Sequence, residues 1–251
     1  MKQIYNARVA SNKRAVDNLF KLVVELDAPL YAMPGQFIQL KLPLNEFTLR
    51  RPLGIAALDN DRLTMFYRLV GRGTEFLSTV GEGAQLDLIA PLGNGFSIVE
   101  GEKVLLVGGG VGLAPLLFCA QKFEGVDVLI GGKTRSEAEM WTTEFEGAVD
   151  QMFVTTDDGS LGVKGFVSDL LPEVLSKNHY DAVLVCGPTI MMKNVSSLVA
   201  QHNIRCEVSM ERRMACGLGA CLSCSIDTVN GRRKVCKDGP IFDAREVLFD
   251  V

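Results

Sequence analysis

Apolar and polar positions alternate at period two through much of the first hundred residues. Leu19–Leu26 and Phe37–Leu42 follow this rhythm, and Arg62–Val70 and Gln85–Ala90 read as two further strands. Pro34-Gly35, Asp59-Asn60 and Gly81-Glu82-Gly83 punctuate them. Many short antiparallel strands in this length predict a small closed barrel. One short helix is expected from Thr74 to Val80, with Thr74 as its N-cap.

After Glu100-Gly101-Glu102-Lys103, which reads as a linker, the pattern changes. Apolar runs at Val104–Val107, Val126–Ile130, Met152–Thr155, Ala182–Val185 and Arg205–Val208 alternate with helical periodicity near 114–122, 135–146, 165–177 and 189–200. Such alternation predicts a parallel sheet covered by helices. From about 210 the rhythm is lost and glycines and cysteines take over. The expected organisation is therefore an antiparallel β-barrel over 1–99, an α/β nucleotide domain over 100–209 and a small C-terminal unit over 210–251.

Composition narrows the class. A chain of 251 residues with 47% hydrophobic and 22% charged residues is a globular protein with room for two or three domains. A net charge of −4 speaks against a general nucleic-acid binder. The opening Met-Lys-Gln-Ile-Tyr-Asn lacks the apolar core of a signal peptide, and no apolar run reaches the roughly 18 residues of a membrane span. A reducing cytoplasm is the expected setting.

The strongest chemical signal is Cys216, Cys221, Cys224 and Cys236, spaced C-x4-C-x2-C-x11-C. The first three match the loop of plant-type [2Fe–2S] sites. Gly217 and Gly219 let the main chain approach a cluster and donate to its sulfurs. Asn230-Gly231 is a preferred type I′ turn. A hairpin closed there pairs Val229 with Arg232 and Ser225 with Cys236, which lays Cys236 beside Cys224. Cross-strand neighbours stand about 5 Å apart, so both sulfurs can reach one cluster. Structural zinc is the competing use of four cysteines, but it usually shows paired C-x2-C knuckles. Seven cysteines, an odd number without a secretory signal, argue against a disulfide framework. His179 and His202 both lie far from the cysteines in sequence, which excludes a Rieske-type site.

Other motifs are weaker singly. Val107-Gly108-Gly109-Gly110-Val111-Gly112-Leu113-Ala114-Pro115 follows a strand and opens a helix, where glycine amides can approach a pyrophosphate. It is not G-x-G-x-x-G, and Lys133 stands where a dinucleotide fold places an acid, about 20 residues on. Cys186-Gly187-Pro188 ends another strand, where Cys186 would face a ligand or else fill the core. Asp157 and Asp158 could accept from ribose hydroxyls and repel a 2′-phosphate, or simply form an Asx turn. Arg50 and Arg51 end a strand where phosphate could be gripped. Arg68-Leu69-Val70-Gly71-Arg72-Gly73-Thr74 leads into the short helix as a second anion site.

Taken in order, the barrel, R-P-x-x, G-x-G-T, G-G-G-x-G-x-A-P and C-G-P resemble the ferredoxin–NADP reductase superfamily. The final M-x-C-G-x-G-x-C-x-x-C followed by V-C-x-D-G-P resembles the electron-transfer subunits of NAD-dependent, type B dihydroorotate dehydrogenase, over essentially the whole chain. The resemblance implies that Arg51, Pro52, Leu53 and Gly54 meet FAD. It adds Arg68, Leu69 and Val70, with Gly73 and Thr74 at the pyrophosphate. Cys216, Cys221, Cys224 and Cys236 would hold the [2Fe–2S] cluster. Gly109, Gly110, Gly112 and Pro115, with Cys186, Gly187 and Pro188, would frame NAD. The family usually has serine at the position of Gly54, so a hydroxyl near the flavin is lost here. The implied partner is a catalytic subunit that holds FMN and oxidises dihydroorotate in pyrimidine synthesis, in a heterotetramer of two plus two. Electrons would run from that FMN through cluster and FAD to NAD+. The rival expectations are a reductase serving an oxygenase, hydrogenase or ferredoxin, and a non-enzymatic iron–sulfur or zinc module.

Overall fold

A computed structural model describes residues 2–43 and 47–249. The domain limits expected at 1 and 251 lie outside them. The first sheet contains β1 (Gln3–Val16), β2 (Leu19–Leu26), β3 (Phe37–Lys41), β4 (Arg51–Gly54), β5 (Ala57–Asp59), β6 (Arg62–Arg68) and β7 (Gln85–Leu92). Their order is β4-β3-β7-β1-β2-β6-β5, antiparallel throughout. The two edge strands, β4 and β5, are consecutive in sequence and separated only by Ile55 and Ala56. Three residue steps span about 10 Å, so the sheet's two ends must curl toward each other. Its enclosed side chains include Ile38, Leu40, Leu63 and Leu88.

The long β1 is absent from the sequence expectation. Gln3, Asn6, Arg8, Asn12, Lys13 and Arg14 mask its pattern, and only Tyr5, Ala7 and Val9 are buried along it. The short β4 and β5 carry too few residues for a period to show. Helix α1 (Arg72–Ser78) begins two residues before Thr74. Thr74 is not the N-cap. Its hydroxyl accepts from Val70 N at 2.9 Å and donates to Gly71 O at 3.0 Å, tying the approach strand to the helix instead.

The second sheet contains β8 (Val104–Gly109), β9 (Val126–Gly132), β10 (Gln151–Thr156), β11 (Val163–Lys164), β12 (Ala182–Cys186) and β13 (Arg205–Ser209) in parallel. Helices α2 (Leu113–Lys122), α3 (Arg135–Phe145), α4 (Val167–Lys177) and α5 (Thr189–Val199) cover it. Val104–Val107 and Ala182–Val185 are wholly buried, which is why these strands read as unbroken apolar runs. The order β11-β10-β9-β8-β12-β13 reverses between β8 and β12. That reversal opens a crevice at the carboxyl ends of the two strands, where ligands of such sheets bind.

The C-terminal segment is a loop followed by β14 (Ser225–Thr228), β15 (Gly231–Lys234) and the single turn α6 (Val235–Asp238). It does not remain separate after that. β16 (Ile241–Asp243) returns to the second sheet and pairs antiparallel with β13. Met210 N donates to Pro240 O at 2.8 Å and Ala244 N to Cys206 O at 2.9 Å. Phe242 packs into one apolar cluster with Val208, Val235 and Cys236. The expected unit over 210–251 is thus anchored at both ends to the nucleotide-side sheet.

The two sheets meet through α3. Its Trp141, fully buried, lies against Phe66 of β6 with ring centroids 4.9 Å apart. Lys21 of β2 pairs with Glu144 at 2.6 Å. Truncating Trp141 to alanine would cost about 3–5 kcal/mol, the usual loss for a buried aromatic ring.

Candidate functional site

The cysteine loop is shaped by its backbone. Gly217 takes φ +66°, which side-chain-bearing residues rarely adopt. A Cβ there would lie 2.6 Å from the side chain of Gln39 on β3, so glycine also lets the loop seat on the first sheet. Leu222, between the second and third cysteines, has φ +62° without being glycine. Strain of this kind gathers where a backbone is bent to serve a site.

The four thiols form two pairs. Cys216 and Cys221 lie within hydrogen-bonding reach of each other at the surface. Cys224 and Cys236 do so in the interior, at 2% and 0% exposure, with Cys236 N 3.5 Å from Cys224 Sγ. Cys216 acts electrostatically on Cys236 across the gap between pairs. Among the described residues no three cysteine, histidine, aspartate or glutamate side chains converge as ligands of one ion. Two irons sharing four thiolates ask for two on each, and that is the grouping found. It does not suit a single zinc, which gathers its ligands round one point.

The pairs differ chemically. Hydrogen bonds from the Ser223 side chain and amide bring the Cys221 thiol down to about 6. Burial opposes ionisation of Cys216, but the amides of Leu218, Cys221 and Ala220 outweigh it and lower this thiol too. These are the main-chain donors that a cluster sulfur also needs. Burial, then the neighbouring Cys224 thiol, push Cys236 up to about 12.

Cys236 reaches Cys224 by a route the sequence did not show. The hairpin pairs Thr228 with Gly231 and Ser225 with Lys234, a register two residues from the expected one. The tip is Val229-Asn230, and Gly231 alone supplies the left-handed conformation, at φ +90°. Contacts from outside the hairpin hold this tip: Val229 N donates to Glu246 O at 2.9 Å and Asn230 Nδ2 to Glu246 Oε1 at 3.2 Å. A slip of two preserves the strand faces. The turn of α6 then brings Cys236 back to Cys224.

On the first sheet, Gln39 of β3 stands opposite Pro52 of β4. The Arg51 guanidinium lies over Gly73, where a Cβ would come within 2.4 Å of Nε and Nη2, and 5.5 Å from the Phe47 ring centroid. A Cβ on Gly54 would meet Pro115 of α2 at 3.7 Å, an ordinary contact. Arg51 of β4 is thus brought to Gly73, and Gly54 of the same strand to Pro115. Leu53 does not join them through its side chain, which is buried inside the first sheet, and Leu69 packs against that same core. Val70 is 82% exposed. Arg68 reaches across to the second sheet, paired with the buried Glu137 of α3 and with Asn18 Oδ1 at 2.8 Å. Its guanidinium borders Gly110.

At the crevice, Gly112 sits against the other strand end. A Cβ would come 2.5 Å from Cys186 O and 2.7 Å from Gly187 Cα. Met191 covers both Gly109 and Gly187. Gly109, Gly110, Gly112, Gly187 and Pro188 are thus brought to one place. Cys186 turns the other way. Its thiol is 1% exposed within the core, and burial, then the Glu211 charge, raise its pKa.

Glu211 itself was missed by sequence reasoning. It follows the carboxyl end of β13, open to solvent on one side and hemmed by protein on the others, and burial raises its carboxyl. Its place just past a parallel strand was the signal that could have found it. Asp157 and Asp158 follow β10. Asp158 Oδ1 accepts from Ser160 N at 3.0 Å and Ser160 Oγ at 2.6 Å, which holds it below the usual carboxylate range. The Asx turn therefore occupies Asp158.

Comparison with known proteins agrees with this geometry. The model of the iron–sulfur cluster binding domain of dihydroorotate dehydrogenase B matches residues 211–248. The electron-transfer subunit of dihydroorotate dehydrogenase B (NAD(+)) from Caldanaerobacter subterraneus subsp. tengcongensis is 38% identical over 97% of this chain and 98% of its own. The corresponding subunit from Clostridium acetobutylicum is 39% identical over 100% of both chains. Among solved structures, an NADH-dependent reduced ferredoxin–NADP oxidoreductase superposes with TM-score 0.86 at 29% identity, covering 97% of this chain and 90% of that one. A ferredoxin–NADP+ reductase from Neisseria gonorrhoeae shares the fold at TM-score 0.67 and 16% identity, over 84% and 95% of the two chains. With identity of this extent over the full length, the chain belongs to the family of electron-transfer subunits of NAD-dependent dihydroorotate dehydrogenase B.

Proposed function

We infer that this chain carries electrons between a dihydroorotate-oxidising catalytic subunit and NAD+, and that its three regions divide the task. Residues 1–99 would serve as the FAD barrel, 100–209 as the NAD domain and 210–251 as the [2Fe–2S] unit. The observation that carries this reading is the seating of the two-pair cysteine loop directly on β3, opposite the Arg51–Gly54 strand. When bound, FAD supplies hydride exchange with nicotinamide and single-electron exchange with an iron–sulfur cluster. The chain's own residues bind, space and screen these groups.

Arg51, held over Gly73, offers a guanidinium fork suited to a pyrophosphate. Gly54 leaves the flavin face free of a side chain. Gly109, Gly110 and Gly112 keep β8 close to β12, so main-chain amides rather than side chains line the nicotinamide crevice. Glu211 places a carboxyl at the edge of that crevice, near the strand end that holds Cys186. Cys216 and Cys221, nearer the surface, would hold one iron of the cluster, and the buried Cys224 and Cys236 the other. The exposed pair lies on the side from which a partner's electron arrives. That partner is a catalytic subunit holding FMN, in an assembly of two plus two. No described helix is long and apolar enough to cross a membrane, and the cytoplasm suits four reduced thiols.

The test omits each component in turn. The isolated chain should pass electrons from NADH to a dye and leave dihydroorotate untouched. Adding the FMN-containing subunit should create dihydroorotate-dependent NAD+ reduction. Dihydroorotate oxidation by this chain alone would overturn the division of roles.

A further inference from the structure

One polar side chain at the boundary between the first sheet and the cysteine loop belongs neither to the thiol set nor to the flavin motif. Gln39 lies on β3 between Ile38 and Leu40, whose side chains fill the sheet's own core. Side chains alternate along a strand, so Gln39 points out of the opposite face. That face meets the cysteine loop, not water: Gln39 is 0% exposed. Its Nε2 lies 3.5 Å from Met214 Sδ, two residues before Cys216. Its Cγ and Nε2 press on Gly217, one residue after Cys216, where a Cβ would stand 2.6 Å away. Its Oε1 has no hydrogen-bond partner.

A carboxamide in this setting is costly. A thioether is a weak acceptor, and an unpaired carbonyl oxygen loses its hydration for nothing in return. A leucine or methionine would fill the same space without that loss. The feature that recommends glutamine is its pair of N–H donors, placed in a dry pocket at the Cys216 end of the loop. Reduction potentials of iron–sulfur clusters depend on hydrogen bonds to their sulfurs, and groups behind the ligands set ligand orientation. Gln39 is also one ladder step from Pro52 in the flavin-side strand. A change on the flavin side therefore has a rigid path to the cysteine loop.

We propose that Gln39 is the positioning residue that couples the flavin-side sheet to the cluster, its carboxamide N–H groups donating into the sulfur environment around Cys216 and setting the cluster's potential. This rests on the reading that the four cysteines hold a [2Fe–2S] cluster. A donor in this place stabilises the extra negative charge of the reduced cluster, so its loss makes reduction harder. The effect passes through hydrogen bonding and loop position; Gln39 is not a ligand.

The experiment uses the full chain with its cluster, purified anaerobically as wild type, Gln39→Leu, Gln39→Glu and Gln39→Asn. Iron and labile sulfide are assayed, and the cluster is titrated with redox dyes while its electron paramagnetic resonance spectrum is recorded. Gln39→Leu should keep its iron and sulfide. Its reduced-to-oxidised ratio at a fixed potential should fall about tenfold, a shift of about 59 mV for one electron, with altered resonance positions. Gln39→Glu, nearly the same size, should shift further the same way at a pH high enough to ionise its buried carboxyl, because a carboxylate opposes the incoming electron. Gln39→Asn retains a donor and should recover part of the shift. Full cluster content with an unshifted potential in Gln39→Leu overturns the proposal. Should Gln39→Leu not fold, an unshifted potential in Gln39→Glu at that pH overturns it equally. Loss of iron from both assigns Gln39 a purely structural role, which also overturns it. Wild-type protein lacking iron and sulfide would instead sink the reading of the cysteines.

Discussion

The loop from Cys216 to Cys224 and the loop from Gly108 to Gly112 are both rich in glycine, and glycine serves a different purpose in each. In the cysteine loop it supplies left-handed turns that aim main-chain amides at sulfur, as Gly217 and Gly219 do at φ +66° and +87°. In the strand-end loop it allows close approach. Gly112 presses on the Cys186 carbonyl, and its own conformation is one that any residue can adopt. The first loop therefore builds its site from neighbours in sequence. The second builds its site from two strands more than seventy residues apart, β8 and β12. A defect in the first should be chemical and local, whereas one in the second should be geometric and spread along the sheet.

The largest expected effect follows from that contrast. Cys224→Ser removes a buried thiol of the proposed ligand set, whose neighbour Cys236 is itself buried. Iron and labile sulfide should be lost, and dihydroorotate-coupled NAD+ reduction with them. Flavin absorbance and NADH-to-dye transfer should persist, because the flavin motif lies on the first sheet. Loss of flavin along with iron would break the comparison by making the cysteine loop part of the sheet's stability.

The strand-end loop should respond in the opposite way. Gly112→Ala places a methyl group 2.5 Å from a main-chain oxygen that has no flexible end to give way. Overpacking of this kind costs about 1–3 kcal/mol. A displacement near 1 Å at the crevice could lower kcat/KM for NADH by about a hundredfold. Thermal melting and steady-state kinetics measure the two, and iron content should not change.

The same contrast explains what could be read in advance. Thiols cluster in sequence because the loop is local, so the nearness of the four cysteines was legible from spacing. The buried parallel strands were legible because apolar runs such as Val104–Val107 need no partner to be recognised. Cys186 and Leu53 turn their side chains into the core, and strand position alone does not say which face a side chain takes. Glu211 was invisible because its closeness to Cys186 of β12 comes from the fold and not from the sequence. The Asn230-Gly231 turn shifted for the same reason: Glu246, from beyond the hairpin, holds its tip. Arg68 looked like a phosphate ligand, and the buried Glu137 of another region pairs with it.

Glu211 gives a pH-dependent test of the crevice. Burial raises its carboxyl above the ordinary value of about 4.3, so the folded chain holds a proton that the unfolded chain releases. Its unfavourable contribution is absent below that ordinary value. It grows as pH rises toward the raised value and is constant above. Glu211→Gln cannot ionise, so its melting temperature should fall less than that of wild type between those two pH values. Parallel melting curves would mean that solvent on the open side already screens the charge.

The smallest effect should come from Gly54, where the flavin side can be probed without disturbing either loop. The family's usual serine is replaced here by glycine, and a glycine forced by backbone shape could not be restored to serine. The geometry argues against such forcing. Gly54 lies in β4 without a left-handed φ, and a Cβ would meet Pro115 at 3.7 Å, an ordinary van der Waals distance. Gly54→Ser should therefore fold with unchanged flavin content and within about 0.5 kcal/mol of wild-type stability, the range of substitutions that disturb nothing. Its hydroxyl would stand between β4 and α2, near the flavin edge that the motif implies. A donor there stabilises added negative charge, so the flavin potential should rise while the cluster potential stays fixed. Potentiometric titration of both centres in one sample separates the two. Flavin loss would show that glycine is required for space, and a parallel shift of the cluster would show that β4 and the cysteine loop respond as one unit.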